Sequence, residues 1–335
     1  MALQDKSVDR GLIRMDLLKT TSLIYKRKVA IIGAGYVGAS IAYSLMLKEL
    51  AREIVLIDKN PSASRGEALD IRHGIPYMGS AIIYDGDYSD CADCDLIIIT
   101  AGRNRRPNES RLDMAQDNIS FAKDVVNKLL KHYTKGVILV VTNPVDIVTY
   151  KIAEWAGLPN GIVFGTGCLL DSSRFVNSIS DYVGLNTDVI SGTIVGEHGE
   201  SQIPIWSKVT VAGMPIEEYC DSVGLKFTID EKTKIAENVK RMGTEIISCK
   251  GKTHYGIATC VCFIADAILN RRATISSVCS VLTGEYGVNK VALSLPSIIG
   301  GNGVEKRIIE RWSDNEFQQF KNSENQLTLM LERLL

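Results

Sequence analysis

The run Lys28-Val-Ala-Ile-Ile-Gly33-Ala-Gly35-Tyr-Val-Gly38-Ala-Ser-Ile joins a short apolar strand to a Gly-x-Gly-x-x-Gly turn and then to a helical pattern. Few folds accept that order. Gly33 suits a tight turn, Gly35 lets a pyrophosphate approach the backbone, and Gly38 permits close packing of helix on strand. The start of the helix then offers free N–H groups to phosphate oxygens. Asp58 closes the next apolar run 20 residues beyond Gly38, where a carboxylate can accept hydrogen bonds from a ribose diol. The same carboxylate would repel a 2′-phosphate, so NAD is expected over NADP. The bland alternative is a tight turn followed by an unrelated acid at a strand end.

From Lys28 onward, short β-branched runs alternate with longer helical patterns, which predicts βαβ units and a parallel sheet. Strands are expected at 28–32, 53–57, 95–100 and 137–142, and helices at 38–47, 65–71 and 112–132. After about Tyr150 the alternation loosens: 171–183 and 230–248 read as helices, 189–195 and 207–211 as strands, and the tract from Asn315 as an amphipathic closing helix. The fold class expected is α/β, a Rossmann doubly wound parallel sheet over residues 28–150, with a second mixed α+β substrate and catalytic domain over 151–335. Residues 1–27 read as an N-terminal arm or extension, with Leu12, Ile13, Leu17 and Leu18 as its apolar positions.

Charge and cysteine content narrow the function classes. The chain has 335 residues, with 38 Lys and Arg against 39 Asp and Glu, a net charge of −1. No broad field draws it to nucleic acid or to an anionic membrane. No apolar run reaches the ~18 residues of a membrane span, and the leading segment has no signal-peptide core, so a cytoplasmic protein is expected. The eight cysteines are scattered and read as reduced thiols. Cys91-x-x-Cys94 could be half a zinc site or a redox pair, but no second Cys-x-x-Cys follows, so packing thiols and no metal are expected.

A second constellation lies later in the chain. Gly196-Glu-His198-Gly199 follows a strand pattern, which places an imidazole at a strand end facing a cleft. Reducing a carbonyl requires one proton near neutral pH as the hydride arrives, and histidine can supply it. In Leu170-Asp171-Ser-Ser-Arg174-Phe175, Asp171 and Arg174 are three apart on a helix and project to one side. One can serve the histidine while the other grips a carboxylate in bidentate fashion. Taken singly, each is more often a structural histidine or a surface pair. Their joint appearance with a cofactor fold carries the argument.

With these residues in place, the chain resembles the lactate and malate dehydrogenase family over almost its whole length from Lys28. The shared motifs are Gly33-x-Gly35-x-x-Gly38, Asp58, Thr100-Ala-Gly102, Arg111-Leu-Asp113, Thr142-Asn143-Pro144, Leu170-Asp171-Ser-Ser-Arg174-Phe, Gly196-Glu-His198-Gly199 and Gly251-Lys-Thr253. The resemblance implies reversible, NAD-dependent hydride transfer between an L-2-hydroxy acid and its 2-oxo acid. It makes His198 the proton donor and acceptor, Asp171 its partner, and Arg174 the anchor of the substrate carboxylate. Arg111 would sit on a mobile lid and polarise the C2 carbonyl. Asn143 would contact the nicotinamide side of the cofactor and the histidine, with the Asn143-Pro144 bond cis. Thr100 and Gly102 would border the cofactor and Thr253 the substrate. Assembly as a homotetramer or dimer is implied by analogy alone.

Arg105, six residues before Arg111, divides the substrate reading. Lactate-type members of the family resemble one another in carrying Gln there and malate-type members in carrying Arg. A desolvated guanidinium needs a carboxylate, which oxaloacetate offers at C4 and pyruvate lacks, so oxaloacetate reduction is expected from a scaffold otherwise of the lactate type. The alternative is that Arg105 turns to solvent or pairs with Glu109, leaving a pocket for pyruvate. Thr253 and Arg111-Leu-Asp113 resemble the lactate branch, and Asn108 replaces the glycine usual in this turn. Bacterial lactate-type enzymes that respond to fructose 1,6-bisphosphate carry Arg and His where this chain has Val176 and Ser191, so no such activation is expected. Two further classes carry different signatures: an NAD-responsive binding protein without activity predicts loss of His198 or an arginine, and a metal-assisted glycosidase on a related fold predicts a metal cluster.

Overall fold

The computed structural model describes residues 27–103 and 111–334; the leading segment and Arg105 lie outside the described residues, as does the side chain of Arg111. In chain order the elements are β1 (Lys28–Ile32), α1 (Tyr36–Leu47), β2 (Glu53–Ile57), α2 (Pro61–His73), β3 (Ile82–Asp85), β4 (Leu96–Ile99), α3 (Arg111–Leu129), β5 (Val137–Val140), α4 (Val145–Ala156), β6 (Val163–Gly165) and α5 (Leu169–Val183). There follow β7 (Ile190–Ser191), β8 (Ile194–Val195), β9 (Ile203–Pro204), β10 (Thr210–Val211), β11 (Met214–Pro215), α6 (Ile216–Ser222), α7 (Ile229–Lys250), α8 (Tyr255–Leu269), β12 (Thr274–Thr283), β13 (Asn289–Gly300), β14 (Gly303–Arg307) and α9 (Asp314–Leu334).

Six strands form the parallel part of the main sheet in the order β3-β2-β1-β4-β5-β6. The chain leaves β1 toward one edge and returns at β4 to build toward the other. This is the doubly wound arrangement, and its crevice lies past the carboxyl ends of β1 and β4, where the order reverses. The antiparallel strands β12, β13 and β14 continue the same sheet from β6. The strand period sorts the core into two layers: Val29 and Ile31 face α1 and α8, whereas Ala30 and Ile32 face α3 and α4. Strands buried on both faces read as continuous apolar runs, which is why β1, β2, β4 and β5 stand out in the sequence. Among the described helices, none is long and apolar enough to cross a membrane.

The second half departs from the expected elements in three places. The strand expected at 189–195 is two short strands, β7 and β8, broken at Gly192, where an added Cβ would lie 3.1 Å from the Phe175 ring. The segment 207–211 begins as a single helical turn over Trp206–Lys208 and only its end pairs in β10. The long β12–β13 ladder was not expected at all, because Thr274-Ile-Ser-Ser-Val-Cys-Ser spreads small polar residues through a buried strand. Cys91 and Cys94 are fully buried in the layer beneath α3, where burial pushes the Cys91 thiol up to about 12.

Candidate functional site

The cofactor turn is built by close approach. Gly33 adopts φ +108°, its N–H donates to the Ile57 carbonyl at 2.7 Å, and a Cβ there would lie 2.6 Å from the Thr100 hydroxyl. Thr100 Oγ1 donates to the Gly33 carbonyl at 2.8 Å, which ties the turn to the end of β4. At Gly38 a Cβ would be 1.9 Å from the same carbonyl, so only hydrogen fits. Gly35, which caps α1, is different: a Cβ there would meet no atom within 4 Å. The space above Gly35 is open, and the first amides of α1 have no carbonyl one turn back to bond. A cradle that a Cβ would fill, faced by free N–H groups, fits a dinucleotide pyrophosphate.

Asp58 stands at the end of β2, as expected, and has a second task that the sequence did not disclose. Its Oδ2 accepts from Ala34 N–H at 2.8 Å and its Oδ1 from Asn60 N–H at 2.9 Å. An ionised carboxylate has about four acceptor positions, so room remains for a diol. Asp58→Ser should therefore loosen the turn as well as remove the charge. The expected outcome is an NADH Kd raised by about tenfold and an NAD-to-NADP preference narrowed by tenfold or more. An unchanged preference in steady-state kinetics with both cofactors would remove Asp58 from selection.

Past β4, the chain is held by Asn118, a buried residue of α3 that sequence reasoning missed. Its side chain accepts from Arg103 N–H at 2.9 Å and donates to the carbonyls of Arg103 at 3.1 Å and Asn143 at 2.7 Å. Asn118 lies seven residues, two helical turns, after Arg111 in the sequence of α3. That spacing was the available signal. Gly102 packs against Thr142, where a Cβ would lie 2.5 Å from the methyl, and the Asn143-Pro144 bond is cis. Asn143 itself is exposed at the mouth of α4.

The folded chain brings the catalytic candidates His198, Asp171 and Arg174 together. Gly196, at φ +86°, exchanges two 3.0 Å backbone bonds with Ser294 of β13, which pins the turn after β8. Glu197 N–H donates to Ser323 of α9 at 2.9 Å. The turn then projects His198, whose Nδ1 lies 2.5 Å from Asp171 Oδ2 on α5. Arg174, one turn later, donates from Nη1 to Asp171 Oδ1 at 3.1 Å. The Asp171 side chain is 2 % exposed, Arg174 13 % and His198 25 %, so the carboxylate lies at the back and the two cations face outward. Arg174 thus touches Asp171, the residue that also meets His198, where the sequence had separated the two tasks.

Electrostatics follow from this packing. Asp171, against the cost of burial, raises the His198 imidazole to about 9. Burial alone would raise the Asp171 carboxyl, but His198 and Arg174 outweigh it and hold the carboxyl below its ordinary value. These shifts favour imidazolium beside carboxylate at neutral pH, with Nδ1 toward Asp171 and Nε2 on the opposite side of the ring.

Thr253 is half-buried in the turn between α7 and α8. Its neighbour His254 places Nδ1 2.9 Å from Ser40 Oγ of α1, and Lys252 Nζ lies 3.2 Å over the Tyr36 ring. The turn therefore rests on the cofactor helix. No group of three His, Cys, Asp or Glu side chains among the described residues is arranged to hold a metal ion.

A dinucleotide cradle at a topological switch point, beside an imidazolium–carboxylate–guanidinium set, defines a nicotinamide-dependent oxidoreductase. Comparison with known proteins makes the assignment specific. Residues 27–165 match the family model described as lactate/malate dehydrogenase, NAD binding domain, and residues 168–335 the one described as lactate/malate dehydrogenase, alpha/beta C-terminal domain. The chain is 43 % identical over 307 residues to an L-lactate dehydrogenase of Thermoanaerobacter pseudethanolicus, covering 92 % of this chain and 99 % of that one. It is 40 % identical over 308 residues to that of Acetivibrio thermocellus, covering 92 % and 97 %. The ligand-bound crystal structure of a minor L-lactate dehydrogenase from Enterococcus mundtii superposes with a TM-score of 0.90 at 36 % identity, covering 93 % of this chain and 99 % of that one. The protein belongs to the lactate/malate dehydrogenase family, and it interconverts a hydroxy acid and its oxo acid with NAD as the cofactor.

Proposed function

We propose that the enzyme is an L-lactate dehydrogenase, reducing pyruvate to L-lactate and reversing that reaction. The observation that carries the chemistry is the 2.5 Å contact between His198 Nδ1 and Asp171, with Arg174 on the same carboxylate. The Gly33, Gly35 and Gly38 turn and Asp58 would hold the dinucleotide, which would supply the hydride for C2 of the oxo acid and accept it in the reverse direction. His198 gives its Nε2 proton to the carbonyl oxygen as the alkoxide forms, and recovers it when lactate is oxidised. Asp171 keeps Nδ1 protonated and balances the imidazolium. Arg174 holds the substrate carboxylate through the guanidinium donors that Asp171 leaves free. Arg111, at the start of α3, polarises the carbonyl, while Asn143 and Thr253 border the nicotinamide and the substrate.

Support for pyruvate comes from relatives named L-lactate dehydrogenase that match nearly the whole chain at about the 40 % level. The second reading, oxaloacetate, rests on Arg105 alone. If Arg105 closed over pyruvate without a partner, the buried cation would cost on the order of 3 to 5 kcal/mol, a hundredfold or more in rate. NADH oxidation measured with the two oxo acids side by side decides between them. The expected result is a higher kcat/KM for pyruvate, unaffected by fructose 1,6-bisphosphate because Val176 and Ser191 bring no cation to a phosphate. A preference for oxaloacetate that Arg105→Gln reverses would transfer the selection to Arg105, and a large fall in KM on adding the bisphosphate would overturn the regulatory part.

A further inference from the structure

The turn that carries Thr253 also carries Lys252, which the proton and carboxylate roles leave without a task. Its ammonium lies 3.2 Å over the ring of Tyr36, the first residue of α1 and the neighbour of Gly35. Tyr36 is 61 % exposed, so the ring stands at the surface beside the cofactor turn and not in the core. A long cationic side chain on a turn ordinarily extends into water or meets a carboxylate. Lys252 does neither: it lies on the ring, and among the described residues no acid pairs with it.

We propose that Lys252 is a cofactor-binding residue: held on the Tyr36 ring, it brings a positive charge from the second half of the chain to the pyrophosphate of the dinucleotide. The proposal rests on the reading of the Gly33, Gly35 and Gly38 turn as the cradle of that group.

The charge balance favours such a role. The chain carries a net charge of −1, so two negative phosphates must be met by local charge. The free amides at the start of α1 supply partial charges only. The turn between α7 and α8 adds full ones: Lys252 stands over Tyr36, and Lys250 Nζ lies 4.1 Å over the ring of Tyr255. His254 meets both rings, its centroid 5.8 Å from that of Tyr36 and 4.0 Å from that of Tyr255, with Nδ1 2.9 Å from Ser40 Oγ on α1. Burial first, and then Lys250 and Lys252, hold this imidazole below its ordinary value, so at neutral pH it ties the turn to α1 without adding charge. Of the two lysines, Lys252 is the one that reaches the cofactor helix. An aromatic face attracts an ammonium without neutralising it. The flexible stem then lets Lys252 turn to an anion above Gly35, where an added Cβ would meet no atom within 4 Å.

Lys252→Met keeps the length of the stem and removes the charge. In fluorescence titrations of the full-length protein its Kd for NADH should rise roughly tenfold, the scale of one charge-assisted contact that solvent partly screens. ADP-ribose, which has both phosphates and no nicotinamide, should weaken by the same factor in calorimetry. Salt should shrink the difference between parent and variant, because the Debye length falls from about 10 Å at 0.1 M to about 3 Å at 1 M. Lys252→Arg should recover most of the affinity. Lys250→Met removes an equal charge from the same turn and should bind NADH within about twofold of the parent. A parent-like NADH Kd in Lys252→Met would overturn the proposal, and so would an equal loss in Lys250→Met, the mark of a diffuse field. A loss confined to NADH, with ADP-ribose unchanged, would overturn it too, by placing the lysine at the nicotinamide. Failure of the underlying reading looks different: Gly35→Val, whose side chain would fill the cradle, would then bind NADH as tightly as the parent.

Discussion

His198→Gln should lower kcat/KM for oxo-acid reduction by on the order of a thousandfold or more at pH 7, the scale at which a positioned proton donor contributes. Glutamine can still reach a carbonyl oxygen with an N–H, but it cannot release the proton. The variant should bind NADH as the parent does, because the cradle at Gly33, Gly35 and Gly38 belongs to β1, β4 and α1 and shares no bond with the histidine turn. A fluorescence titration with NADH checks the second point, and turnover within tenfold of the parent would end the assignment.

The parent protein should show the same chemistry in its pH dependence. With the imidazole at about 9, His198 is protonated at neutral pH, so kcat/KM for reduction is at its plateau there and falls as pH rises through about 9. Oxidation needs the neutral imidazole, and its kcat/KM should rise through the same region. Because Asp171 is the largest cause of the elevation, Asp171→Asn should bring the limb down toward 6.5 or below. At pH 7.5 only about a tenth of the histidine would then carry its proton, so part of the lost reduction rate should return on acidification. A limb that stays near 9 in Asp171→Asn would show that the carboxylate does not control the proton.

These expectations were open to the sequence to different degrees, for physical reasons. The cofactor turn was legible because its constraints are local: three glycines within six residues decide which backbones can touch. Asp171 and Arg174 were legible as a pair through helical spacing, and His198 through its flanking glycines. Their meeting was not legible from spacing, since α5 and the turn after β8 are brought together by the pinning of Gly196 to β13, a strand that did not register in the sequence. Asn118 escaped for a related reason. It reads as an ordinary polar residue on an amphipathic helix, and only the folded chain shows that its partner is a backbone group 25 residues away, at Asn143. Arg105 is the opposite case: a single residue pointed to oxaloacetate, while likeness along the whole chain favours pyruvate.

Arg174→Lys tests the anchoring half of the site and should cost between about a hundredfold and a few thousandfold in kcat/KM for the oxo acid, most of it in KM. The magnitude follows from leaving a substrate carboxylate without its partner in a mostly buried place, about 3 to 5 kcal/mol. Charge alone cannot replace the guanidinium here. Arg174 already spends Nη1 on Asp171 at 3.1 Å, and only a planar fork has further donors aimed away from that bond. A lysine must choose between Asp171 and the substrate. Because Lys keeps the positive charge beside Asp171, the alkaline limb near 9 should stay where it is, and that is the diagnostic feature. A loss of affinity with an unmoved limb identifies Arg174 as the carboxylate anchor. A limb displaced together with the rate, at unchanged KM, would instead make Arg174 a partner of the Asp171–His198 pair and require a different residue to hold the substrate.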